Sequence, residues 1–137
     1  MGIFRIIVLS LVLMSFSSVS WGHDWQFLFQ TRIDSYYYDK SEIKQKSKNV
    51  VQVWVKRNLK NGAEGIEEKY NGIDHIISLE EYDCARHKQR TVSHTTYDQD
   101  GKAVRSEQDN KAKWDYIDPN SAADCLLRYT CKKKRLL

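Results

Sequence analysis

The stretch from Asn49 to Arg57, NVVQVWVKR, constrains the fold of this chain more than any other. Val51, Val53 and Val55 alternate with Gln52, Trp54 and Lys56, the period-two pattern of a strand with one dry face. β-Branched and aromatic residues fill it, and neither glycine nor proline interrupts it. It reads as a central strand of a small antiparallel sheet. Val50 and Trp54 fall on its second face, so that face is expected to be partly covered as well.

The first residues set the compartment. Arg5 supplies a positive start, Ile6 to Phe16 an apolar run, and Ser17 to Ser20 small residues for cleavage, the layout of a secretory signal peptide. The apolar run falls short of the roughly 20 residues a membrane span needs. Cleavage follows Ser20 or Gly22, and Ser20 three positions before the cut favours Gly22. Residues 1–22 are therefore read as signal peptide and 23–137 as one domain. With no cysteine near the cut for lipid attachment, the mature chain is expected to be exported, periplasmic or secreted, soluble and without a transmembrane segment. About 115 residues suffice for one core and not for two. The formal charge of +4 is mild, and export makes nucleic acid a poor match as partner.

Further strands follow from the same reasoning. Trp25 to Thr31 places Trp25, Phe27 and Phe29 on one face, and Ser35 to Asp39 carries three tyrosines. Glu42 to Ser47 reads as a short strand or loop. Lys60 to Gly72, with Gly62, Gly65 and Gly72 among many charges, reads as an exposed loop with one helical turn. From Ile76 onward Ile77, Leu79, Glu81 and Asp83 alternate with Ser78, Glu80, Tyr82 and Cys84. A long polar strand, Lys88 to Tyr97, turns at Asp98-Gln99-Asp100-Gly101 into Lys102 to Glu107, with Ala103 and Val104 expected to face inward. Trp114 to Ile117 is a short extended piece before Pro119. A helix follows, capped by Ser121 with Asp124 completing a capping box, and Ala123, Leu127 and Cys131 form one stripe beside Leu126 and Thr130. Lys132 to Arg135 then lie at the negative end of the helix dipole.

Three cysteines in an exported chain indicate one disulfide and one spare thiol. On one helix Cys125 and Cys131 stand about 9 Å apart along the axis, beyond the reach of a disulfide. Cys84 therefore pairs with Cys125 or Cys131, and the sheet-facing position of Cys131 selects Cys84–Cys131. Cys125 remains as a buried thiol or an intermolecular link, with the buried thiol favoured.

No catalytic site is legible. His75, His87 and His94 are dispersed, and there is no metal-ligand spacing, G-x-S-x-G or phosphate-binding glycine loop. Glu80 and Asp83 are two carboxylates without an acid–base signature. Asp98 to Gly101 begins like a calcium loop but lacks the later acidic ligand, so it reads as a turn. No cofactor and no metal are expected. Charge does show pattern: Lys44, Lys46, Lys48, Lys56 and Arg57 crowd one segment, a candidate binding surface, and Glu64 to Asp83 is acidic, so the two blocks are expected to neutralise each other or to hold charged partners. The basic tail Lys132 to Arg135 is a candidate for polyanions.

The order of landmarks resembles the bacterial surface-adhesin protein E family. The pieces are Tyr36 to Asp39, Val53-Trp54-Val55-Lys56, Glu81-Tyr82-Asp83-Cys84, Tyr97 through Gly101, Trp114 to Ile117, Pro119 with Ser121, and the closing Cys131. The resemblance implies an α+β fold: a single antiparallel sheet of about six strands, PAS-like in shape, with a C-terminal helix packed on it. It supports pairing Cys84 with Cys131, and it implies a non-enzymatic binding protein. The family's best-known member binds host matrix proteins and plasminogen and can form homodimers. A protein or polyanion partner in the host or the envelope is thus expected. The alternative is a small-ligand or sensor module, with an apolar pocket lined by Trp54, Tyr37 and Trp114.

Overall fold

Alternating valines do form a strand. In the computed structural model, which describes residues 22–60 and 65–134, with side chains as far as Lys132, Val51, Val53 and Val55 are almost wholly buried. The chain lays down β1 (Trp25–Gln30), β2 (Asp34–Asp39), β3 (Lys44–Ser47), β4 (Val50–Leu59), β5 (His75–Asp83), β6 (Lys88–Tyr97), β7 (Ala103–Gln108), β8 (Asp115–Tyr116) and a helix, α1 (Ala122–Lys134). The sheet is antiparallel throughout and runs β1-β2-β4-β5-β6-β7, with β3 beside β4 and β8 beside β6. Six strands lie on that path, as expected, and the two short ones bring the total to 8. The architecture is α+β.

Register decides which side chains share a face. Val55 lies opposite Tyr38 and Ser78, Val53 opposite Glu80, and Val51 opposite Tyr82, so these residues look toward one side. On that side Leu126 and Leu127 of α1 pack with Tyr38, Val53, Val55, Tyr82 and Ile117. Leu59, Ile73 and Ile76 form a second, smaller cluster with Ile66 and Tyr70. The helix therefore covers only part of its side of the sheet.

Both ends of the helix are fastened. The Ser121 hydroxyl accepts the Asp124 amide at 3.2 Å, while the Asp124 carboxylate accepts the Asn120 amide at 2.9 Å. The capping box is thus closed one residue earlier than its usual form. Near the other end Cys131 is bonded to Cys84, with Cα atoms 5.9 Å apart. Cys125 is the free, half-buried thiol.

Two expectations change. Trp25, Phe27 and Phe29 do not share a face: a bulge between Phe27 and Phe29 sets Phe27 against Tyr37 and Phe29 against Tyr36, on opposite sides. Phe27 is left 57 % exposed, while Phe29 stacks on Tyr36. Ala103 and Val104 do not face inward, because β7 lies at the sheet edge and is exposed along its whole length. The short strand expected within Glu42 to Ser47 is present as Lys44–Ser47, after a 3-10 turn at Lys40–Glu42. The hairpin at Asp98 is as read: Gly101 takes φ +78°, and the Asp98 carboxylate accepts the Asp100 and Lys102 amides. The predicted leader before Gly22, Gly62 of the loop, and Arg135 with the side chains of Lys133 and Lys134 lie outside the described residues. Among the described residues no helix is long and apolar enough to cross a membrane.

Candidate functional site

The sheet has two sides of different character, and the predicted basic surface is divided between them. Lys44 lies opposite Gln52, on the side away from α1, and Lys56 lies on that same open side opposite Tyr37. Lys46 and Lys48 are exposed on the β3 hairpin. Arg57 points to the helix side. There it donates to the buried Asp34 carboxylate at 2.6 Å and lies over the rings of Tyr36 and Tyr70. One residue of register separates Lys56 from Arg57, which is why a run of basic residues in sequence is not a patch in space.

Aromatic side chains collect around Lys56 on the open side. Its ammonium lies 5.9 Å from the Trp25 ring, His23 packs between Trp25 and Trp54, and Phe27 meets Tyr37 edge-on at 5.7 Å. Further along the same side Glu81 is buried, held by Arg90 at 2.6 Å and by Gln52 at 3.1 Å. Trp114 closes over this pair, with the Arg90 guanidinium 4.6 Å from its ring.

On the helix side a cleft of about 700 Å³ opens between the two buried clusters. Ser78, Glu80 and Tyr82 of β5 line it together with Thr91 of β6, Tyr36 of β2 and the first turn of α1. The Glu80 carboxylate accepts from the Ser78 hydroxyl at 2.8 Å and from Thr91 at 3.0 Å. Burial pushes this carboxyl above the ordinary range, although both hydroxyls work the other way. Burial likewise raises the Tyr36 phenol to about 12, opposed by Arg57, and it raises Tyr82 well above its usual value with help from the Glu80 charge. The walls carry Lys69, Arg105 and Glu107 as well.

Trp54, Tyr37 and Trp114 do not line this cleft, contrary to the pocket expected from sequence. Trp54 and Tyr37 share the open side with Lys56, and Trp114 lies on the Glu81–Arg90 pair. Nor do Glu80 and Asp83 meet: the register turns them to opposite sides, and Asp83 caps the turn through the Ala85 and Arg86 amides. The opposing charge blocks also fail to pair at their best-buried members, since Arg57 takes Asp34 and Glu81 takes Arg90.

A cluster that the spacing did not reveal joins His23, Asp39 and Glu42, whose donor atoms lie within 4.8 Å of one another. Asp39 is fully buried and bonds the Asp24 amide, the Ser41 amide and hydroxyl, and His23. Burial acts to raise its pKa, but those hydrogen bonds outweigh it and hold the carboxyl below its ordinary value. The carboxylate is thereby committed to closing the turn after β2. Of the remaining histidines, His75 stacks on Tyr97, His87 reaches Asp124 at 3.0 Å and His94 lies 3.5 Å from Glu107.

A single antiparallel sheet and a helix bolted to part of it by a disulfide define a small single-sheet α+β domain. The family model described as surface-adhesin protein E matches residues 25–132, and the chain belongs to that family. It is an adhesin-like protein of the exported or surface class. A crystal structure of Haemophilus influenzae protein E (crystal form II) shares the fold, with a TM-score of 0.50 and 18 % identity over 72 % of this chain and 80 % of that one. No curated protein matches the chain.

Proposed function

We propose that the domain is a non-enzymatic exported binding protein that holds a host or envelope macromolecule against the open side of its sheet. The observation that carries this reading is the grouping of Trp25, Phe27, Tyr37 and Trp54 about Lys56, with Phe27 57 % exposed. Aromatic anchors beside a cation are the composition of interface hot spots. The exposed Lys44, Lys46 and Lys48 beside it give the surface a positive rim, which speeds encounter with acidic or polyanionic partners. Family membership supports the same reading and its non-enzymatic character. The leader at residues 1–22 belongs to it as the means of export. Purified, disulfide-bonded domain is expected to be retained at low salt by immobilised matrix proteins, heparin or envelope extract. Failure on all three ends the proposal.

A second reading is favoured by a different observation. The cleft beside Glu80 has the volume of a small-molecule site, with an apolar wall and a few converging polar groups. It supports a small-ligand module within the same domain. Binding of a small ligand that is lost when Ala122, a half-buried residue of the cleft wall, is replaced by Trp tests this reading.

A further inference from the structure

The charges that line the cleft are unevenly matched. Arg57 is paired with Asp34, Arg105 with Glu107 and Lys69 with Glu67. Glu80 is held by two neutral hydroxyls, from Ser78 and Thr91, and one accepted hydrogen bond on each of its oxygens leaves further acceptor capacity on both. The Tyr36 and Tyr82 side chains stand beside it in the lining, and Val55 and Leu126 supply apolar wall. A half-buried carboxylate bonded only to neutral hydroxyls is a costly arrangement unless something supplies the counter-charge.

We propose that the cleft binds a small primary amine, its ammonium seated on the Glu80 carboxylate and its apolar body lying between the tyrosines and Leu126. This rests on the small-ligand reading of the cleft and adds the chemical class of the ligand. An ammonium offers three N–H donors to the free lone pairs of Glu80. Desolvation disfavours the bare anion at this position, and a bound cation would offset that cost. An anionic ligand would meet Glu80 at the floor, and a large macromolecule does not fit a cleft of about 700 Å³.

The test is calorimetric titration of the oxidised domain at pH 7 with phenethylamine and with its neutral isostere 2-phenylethanol. Saturable binding of the amine is expected, weakened at least tenfold for the alcohol and at least tenfold for the amine on Glu80→Gln, a variant that keeps the acceptor oxygen for Ser78 and Thr91. Circular dichroism verifies that this variant is folded. Equal binding of amine and alcohol, or undiminished binding by Glu80→Gln, overturns the amine assignment and leaves the cleft a small-ligand site. If neither compound binds at millimolar concentration, the assignment and the small-ligand reading both fall.

Discussion

Glu80 and Glu81 are adjacent in sequence and live in opposite environments. Glu81, on the open side, is buried against Arg90 with Gln52 as a further donor; Glu80, on the helix side, has hydroxyls only. Removing Arg90 strands a buried charge, so Arg90→Ala is expected to lower unfolding stability by about 3 kcal/mol, the low end for a broken buried pair. Urea titration at pH 7 measures it, and the double variant with Glu81→Gln should recover part of the loss. For Glu80 the sign runs the other way. Its folded pKa is raised, so the folded state holds the proton more tightly and stability falls as pH climbs from the unfolded value, near 4.3, through the folded one. Glu80→Gln removes that fall. The variant is expected to match the parent below about pH 4 and to exceed it at pH 7 in urea unfolding. The alternation in β5 placed the two glutamates on different faces from sequence alone. It gave no sign of which face the helix would cover, because Ile77 and Leu79 made the open side look the drier one.

At the scale of elements, legibility tracked the strength of the local signal. β4 was readable because three valines at period two admit one answer, and α1 because its cap, stripe and cysteine agree. β1 was misread at Leu28, where a bulge reverses the sense of everything before it; a bulge leaves no mark on an uninterrupted apolar run. β7 was misread because Val104 is apolar, yet an edge strand beyond the reach of the helix has nothing to bury against. The join between sheet and helix is where the elements depend on one another. The Cys84–Cys131 bond closes a segment with sequence separation 47, and by loop entropy this contributes about 4 kcal/mol. Cys131→Ser is therefore expected to lower the unfolding free energy by that order and to reduce Tm by more than ten degrees in a calorimetric scan. A stable Cys84→Ser, Cys131→Ser double variant with unchanged Tm would show that Leu126 and Leu127 suffice to hold the helix.

For the whole molecule, the important division is between a helix side that carries the core and a cleft, and an open side that carries partly exposed aromatics and lysines. The sequence pointed to the basic segment as the binding surface, and the fold keeps Lys44 and Lys56 there while withdrawing Arg57 into an ion pair. The aromatic half of that surface was present in sequence as strand residues and was legible only as β propensity, since its assembly depends on the β1–β2 register. Retention of the oxidised domain on immobilised matrix protein, heparin and envelope extract, compared between the parent and Phe27→Ser/Lys56→Glu, tests the central claim most directly. The substitutions touch one exposed ring and the half-buried cation at the centre of the aromatic group, both outside the buried core, so the fold should persist by circular dichroism. The account predicts retention of the parent on at least one of these supports and a loss of tenfold or more in the variant. Retention of both proteins alike would contradict it.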